Sequence, residues 1–414
     1  MSLEEVWRDE WGRLLALLVA QTRRLDLAED ALADAFERAA RSWPEDGAPD
    51  NPAAWLLTTA RRRIVDRARA EAMHARKEPL IAIDERHRMV DNDDPARQGD
   101  DLLRLVLLAA HPALSQEAGA ALTLRLVLGV STGDIARLFL VSEPTMAARL
   151  TRARKKVVTA GIPLAVPDPD VLPDRLDTVA QVAYLAFTAG YAPGSGPDVL
   201  RADLAGEAIR LVRLVRATGR AAAGNAALTA LLALMLLQHS RRDARVAEDG
   251  SLVLLPDQDR ARWRRDEIAE GLELLHGLTA GEGPVAMTSA VAASYVLQAL
   301  IAAEHVRAGR PEQTDWVAIA DLYRQLDELT GSPVVRLNRA VAVAEAGDVT
   351  AALELTADSE TELPHSHRAA AVRADLLARA GRVADSHTAY DRAIELCAND
   401  AERETLRRAR GALR

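Results

Sequence analysis

The stretch STGDIARLFLVSEPTMAARLTRARKKV, residues 131–157, decides how this chain is read. Thr132 can cap a short helix running through Asp134–Phe139, with Ile135, Leu138 and Phe139 on one apolar face. Leu140-Val141 make a turn. Ser142 then caps a second helix, and Pro144 falls in its first turn, where a missing N–H is tolerated. Met146, Leu150 and Val157 supply the inward face of that helix, while Thr145, Ala148, Arg149 and Arg152 point elsewhere. This is the layout of a helix-turn-helix, whose second helix enters the major groove by its N-terminal end. Ser142 and Thr145 stand at that end. Arg149, Arg152, Arg154, Lys155 and Lys156 then lie along or beside the phosphates.

Such a knot of positive charge stands out because the protein is acidic, with a net charge of −9 over 414 residues. Residues 1–160 carry 24 Lys and Arg against 25 Asp and Glu, so nearly all the surplus acid lies beyond them. Within the near-neutral part, two basic runs each close a predicted helix: ARRRIVDRARAEAMHARK (60–77) and ARLTRARKK (148–156). A lone charge run is usually a solvated face; two such runs point towards phosphate contacts. Aromatics make up only 3% and Ala and Leu dominate, which favours helices over strands and predicts an all-α protein. The single cysteine, Cys397, cannot form an internal disulfide, which suits a reducing cytoplasm. The N-terminus is a poor signal peptide, and AALTALLALMLLQHS reads as a buried helix rather than a membrane span.

Residues 3–43 read as two amphipathic helices, and PEDGAPDNP (44–52) as a turn-rich breaker. A helix follows from Pro52 to about Lys77, with Asn51 as its N-cap and Pro52 at its first position. Residues 78–100 read as a linker, and GIPLAVPDPDVLP (161–173), with four prolines, as the main boundary. The predicted organisation is therefore 1–77, a linker 78–100, 101–160, a Pro-rich linker 161–173, and a helical region 174–414. RAVAVAEAGDV (339–349) and RADLLARAGRV (373–383) match at an offset of 34 residues, the period of a tetratricopeptide repeat. Gly347 and Gly381 fall in the turns of that repeat; Ala340/Ala374 and Ala346/Ala380 are expected to keep its helices close.

DLAEDALADAFERAARSW followed by PAAWLLTTARRRIVDRARAE resembles conserved region 2 of the extracytoplasmic-function (ECF) sigma factors, and TGDIARLFLVSEPTMAARLTRARKKV resembles their region 4. GYAPGSG…RADLAGEAIRLVRLV and TDWVAIADLYRQLDELTGSPVVRLNRAVAVAEAG resemble the subgroup with a C-terminal tetratricopeptide-like extension. The resemblance implies a protein that docks on core RNA polymerase, at the β′ clamp helices and the β flap, and directs it to promoter DNA. It implies polymerase contacts in Asp26–Trp43, with Leu27, Asp30, Leu32, Asp34 and Phe36 as candidates; the plain alternative for Leu32 and Phe36 is core packing. It implies that Arg61, Arg62, Arg63 and Arg67 hold DNA backbone at the −10 element and that the helix-turn-helix meets the −35 element; Trp55 beside them reads as a core residue rather than a platform on which a base stacks. One departure matters. Many ECF factors place Lys or Arg, then Ser, just before the arginine matching Arg149, whereas this chain has Ala147-Ala148. Readout there leans on Thr145, Arg149 and DNA shape.

No constellation of nucleophile, base and orienting group occurs, so no catalytic residue, metal or cofactor is expected and the chain reads as a non-enzyme. GYAPGSGP (190–197) lacks the strand and Lys-Ser/Thr of a phosphate loop, and His365 and His367 have no Cys or carboxylate at metal spacing in the sequence. Two other readings stay open: a dimeric helix-turn-helix regulator independent of polymerase, which would have no need of DLAEDALADAF, and a repeat scaffold that binds a protein or peptide. The fused C-terminal region is expected to contact and control the rest of the chain.

Overall fold

A computed structural model describes residues 2–74, 95–139, 141–191, 202–247, 253–279 and 289–413. The fold is all-α, as expected. GYAPGSGP from residue 192 onward, residues 78–94 of the expected linker, and the last three residues of ARRRIVDRARAEAMHARK lie outside the described residues. The chain divides into two compact units, Met1–Leu185 with Arg210–Asn225, and Ala186–Ile209 with Ala226–Arg414.

The first unit begins with α1 (Leu3–Thr22), α2 (Leu25–Asp46) and α3 (Pro52–His74). Ser2 and Glu5 form a capping box at the start of α1. Helix α2 runs three residues into the expected breaker, with Pro44 inside its last turn, and is capped by Gly47, whose φ of 84° suits a residue without a side chain. Asn51 caps α3 as its sequence suggests, its Oδ1 accepting from the amide of Ala54 at 3.0 Å.

Next come α4 (Pro95–Ala109), α5 (Gln116–Leu128), α6 (Thr132–Leu138) and α7 (Glu143–Thr159). Helix α4 starts six residues before the expected end of the linker, with Pro95 at its first position, where proline's missing N–H costs no hydrogen bond. In the opening stretch the cap moves by one: Ser131, not Thr132, accepts from the amide of Asp134 at 3.0 Å. Ser142 caps α7 as expected, and Met146, Leu150, Ala153 and Val157 form its buried face.

Helix α1 is not the amphipathic helix expected. Leu14, Leu15, Ala16, Leu17, Leu18 and Val19 are all buried, more than two thirds of the way round the helix. A helix apolar on all sides needs neighbours on all sides. Here α2, α3, α4 and α5 all pack against it. Gly12 sets how closely α1 approaches α5, because a Cβ there would stand 2.2 Å from the backbone oxygen of Val127. Gly12→Ala is expected to destabilise the first unit by about 1–3 kcal/mol through overpacking against an immovable carbonyl. Urea midpoints of the full chain check this, and an unchanged midpoint would mean that the two helices do not meet here.

The Pro-rich segment 161–173 does not coincide with the division between the units. Helix α8 (Leu172–Tyr191) passes it, and α9 (Ala202–Ala217) and α10 (Arg220–Ala223) follow. The reason lies in what the first half of α8 buries. Leu176, Val179, Ala180, Val182 and Ala183 are all at most 2% exposed, and a Cβ on Gly119 of α5 would lie 3.4 Å from Val182. Arg175 donates to the carbonyl of Leu107 at 2.6 Å, and Asn225 donates to Asp177 at 3.2 Å. Arg210 of α9 reaches two helices of the same unit, donating to the carbonyls of Arg8 (2.7 Å) and Leu128 (3.2 Å).

In the second unit, α11 (Ala226–His239) is buried at every position from Ala227 to Leu237, as its apolar sequence suggests, and packs against α12 (Arg265–Thr279) and α13 (Ala290–Arg307). Among the described residues no helix is long and apolar enough to cross a membrane. Helix α14 (Trp316–Thr330) leads to α15 (Pro333–Glu345), α16 (Val349–Leu355), α17 (Ser359–Glu362), α18 (His367–Arg379), α19 (Val383–Leu396) and α20 (Asp400–Gly411). The pair α15–α16 and the pair α18–α19 start at the same 34-residue offset as the sequence match. Gly347 (φ 105°) and Gly381 (φ 76°) make the turns, where an L side chain would be strained. Ala340 and Ala374 are fully buried between helices, whereas Ala346 and Ala380 are exposed helix ends and hold nothing together.

Candidate nucleic-acid and polymerase interface

Helices α2 and α3 pack side by side and bring the acidic and basic candidates face to face. Arg63 donates to Asp34 at 2.7 Å and Arg67 to Asp30 at 3.0 Å. All four side chains are more than two-fifths exposed, so each pair stabilises by about 0–1 kcal/mol and exchanges readily with another partner. Arg61 hydrogen-bonds Gln21 at 3.1 Å, and burial pushes its guanidinium below the usual arginine value. Arg61 and Arg62 line an open groove on α3 with Thr58, Val65, Asp66 and Arg69. Trp55 is half-buried, edge-on to Trp43 at 5.6 Å, which fits packing rather than a stacking platform.

Three of the five polymerase-contact candidates stand elsewhere. Leu27, Leu32 and Phe36 are 5%, 0% and 3% exposed. Phe36 packs on Trp7 (ring centroids 4.7 Å apart) and Trp11 (5.9 Å). They face the core because α2 must bury one stripe against α1, and Leu27, Ala28, Ala31, Leu32, Ala35, Phe36 and Ala39 are that stripe. Asp30 and Asp34 lie on its solvent side.

On α7, Ser142 and Thr145 are exposed at the N-terminal end, their hydroxyls 2.8 Å apart. Arg152, Lys155 and Lys156 are exposed and form no ion pair with the described residues. Arg149 donates to Glu117 at 2.9 Å. Arg154 behaves differently from its neighbours: it turns inward and grips Glu29 of α2 through both carboxylate oxygens, at 2.7 and 3.0 Å. Arg125 of α5 holds the same carboxylate at 2.7 Å. Glu29 is 6% exposed. Sequence reasoning passed over Glu29 and Arg125. The available signal was Arg125 itself, a lone charge in the apolar run ALTLRLVLG, which must find a partner if that helix is buried.

In the second unit His367 Nε2 lies 2.8 Å from Glu402, and with Cys397 Sγ the three ligand atoms fall within 4.8 Å of one another. The fold thus supplies the Cys and carboxylate that linear spacing did not. Arg368 takes the other Glu402 oxygen at 3.0 Å, and Arg403 donates to the Cys397 carbonyl at 2.6 Å. Burial pushes the thiol above its usual value. Two guanidinium groups and a protonated thiol favour a hydrogen-bonded ion pair over a bound cation.

Residues 8–73 match the sigma-70 region 2 family and residues 104–157 the sigma-70 region 4 family. Residues 175–278 match a family of unknown function, DUF6596. The chain belongs to the sigma-70 family: it is an RNA polymerase sigma factor, whose partners are core polymerase and promoter DNA. It is similar to the uncharacterized protein R00370 of Rhizobium meliloti (strain 1021), being 41% identical over 397 residues that cover 95% of this chain and 91% of the relative. No solved structure matches.

Proposed function

We propose that this is a sigma factor of the ECF class, in which α3 meets the −10 element, α7 meets the −35 element, and Asp30 and Asp34 dock on the polymerase β′ clamp helices while region 4 meets the β flap. The observation that carries this reading is one chain presenting an exposed acidic face on α2, an arginine-lined groove on α3 and a capped helix-turn-helix with a basic second helix. On α7, Thr145 and Arg149 read bases, while Arg152, Lys155 and Lys156 hold phosphates; Ala147 and Ala148 offer only apolar contact to a thymine methyl. The C-terminal region, tetratricopeptide-like from α15 onward, modulates initiation. What supports that is the participation of residues 175–185 and 210–225 in the same compact unit as regions 2 and 4, through Arg175 and Arg210.

Run-off transcription with core polymerase on genomic fragments tests the reading. The full chain is expected to direct discrete transcripts, and Arg152→Ala to weaken all of them while lowering the salt slope of DNA binding by about one. Absence of any chain-dependent transcript, together with no retention on immobilised core polymerase, would sink the ECF assignment.

A further inference from the structure

We propose that the second unit carries a binding site for a doubly charged oxyanion, a phosphate or a phosphate ester, at Arg260, Arg265 and His305, where the segment before α12 meets the end of α13. The site gives the C-terminal region a class of ligand and does not depend on the part proposed for that region in initiation.

Arg260 is its fixed centre. Arg260 Nη1 donates to the carbonyls of His305 and Ala308, each at 2.7 Å, and the guanidinium lies over the Trp263 ring, 4.6 Å from the centroid. Holding the last carbonyls of a helix is a common use of one arginine. It leaves Nη2 with no acceptor among the described residues. Nor does it explain the company that Arg260 keeps. Arg265 is exposed, and its Nη2 donates to the Arg260 carbonyl at 3.3 Å. Arg241 adds its charge there alongside its other contacts. Burial first, then the charges of Arg241 and Arg265, push the Arg260 pKa below the usual arginine value, against the opposing pull of Glu312. Gathering like charges is unfavourable, and a helix cap does not require it.

The neighbourhood is also rich in donors and poor in acceptors. Arg260 Nε and Trp263 Nε1 are buried with no partner among the described residues, which is costly for a donor. The half-buried His305 ring, held edge-on to Trp316, makes no hydrogen bond with the described residues. It is neutral at pH 7 and so offers one N–H without adding a further charge. An oxyanion is all acceptor, and a phosphate matches the planar fork of a guanidinium. Three guanidiniums set against Glu312 favour two negative charges over one. Arg260 and His305 are only partly exposed, which suits a small anion better than the stiff backbone of a duplex.

Modification of the full chain with phenylglyoxal, which attacks unshielded arginines, tests the site, with peptide masses giving the modified positions. Inorganic phosphate is the probe, set against chloride at equal ionic strength. Phosphate is expected to slow modification of Arg260 and Arg265 severalfold and to leave Arg392, an exposed arginine of α19, unchanged. Equal slowing by chloride, or equal slowing at Arg392, means screening alone and overturns the site. Slowing by a DNA duplex but not by phosphate assigns these arginines to nucleic acid and overturns it too. Slowing by glycerol 2-phosphate as well as by phosphate assigns an ester, and slowing by phosphate alone assigns the free ion; each supports the site. Phosphate should also raise the urea midpoint of the second unit, and Arg265→Gln should need about tenfold more phosphate for the same rise, the loss of one charge-assisted hydrogen bond. Arg265 is exposed, so this variant is expected to fold. An identical phosphate dependence in Arg265→Gln overturns the site. Neither measurement involves polymerase, so a chain that directs no transcript would sink the ECF reading and leave this result standing.

Discussion

Phe36→Ala is expected to cost the first unit about 3–5 kcal/mol of stability, the range for removing a large buried aromatic side chain. Phe36 is 3% exposed and wedged against Trp7 and Trp11, the latter fully buried. Losing its ring would leave a void under the helix that joins region 2 to region 4. Asp30→Ala, one turn and a half away on the exposed side of α2, should change stability by less than about 1 kcal/mol, because it loses only a surface ion pair. Urea unfolding of the full chain, compared between the two variants and the wild type, separates the two roles. A Phe36→Ala chain as stable as the wild type but defective in polymerase capture would show that the ring is a docking contact after all.

Acid should weaken the second unit before its carboxylates titrate, through His305. This ring is packed edge-on to Trp316 at 5.3 Å, and burial, followed by the charges of Arg241 and Arg260, lowers its pKa from 6.5 to about 4. The unfolded chain therefore takes up a proton at this site that the folded chain refuses. The site costs nothing above about pH 6.5; below that, stability falls as pH falls, and the loss levels off below about pH 4. A shift of that size corresponds to about 3 kcal/mol. Urea midpoints of the wild type and of His305→Gln, compared across this window, isolate the site. A difference between them that stays constant from pH 7 to pH 4 would show that His305 takes up its proton equally in both states.

The helix-turn-helix was legible in the sequence because its signals are local: a hydroxyl residue to cap each helix, a proline in a first turn, an apolar face at helical spacing. Ser142, Met146, Leu150 and Val157 fall where those signals put them, and the displacement of the first cap from Thr132 to Ser131 is a choice between adjacent hydroxyls. The 34-residue offset was legible for a similar reason, since Gly347 and Gly381 mark turns that need positive φ. What depends on contacts between distant segments was not. Leu32 and Phe36 could face either polymerase or core, and only the position of α1 decides between them. The uninterrupted run Leu14–Val19 did hint that α1 is covered on all sides, but nothing local names α5 as its second neighbour. The pairing of Glu29 with Arg154 spans 125 residues and follows from the fold as a whole.

The division of the chain has a consequence for its biosynthesis. The first unit is finished only by residues 210–225, and α8 contributes its leading half to that unit before passing into the other. A ribosome that has completed the helix-turn-helix at residue 159 has not yet made Arg175 or Arg210, nor the apolar side chains of Leu176, Val179 and Val182. At about 5–20 residues per second, the missing pieces arrive roughly 3–13 s later. During that interval a nascent sigma factor holds every residue proposed to meet DNA but not the segments that complete its fold, so chaperones and the polymerase itself have a window in which to meet it first.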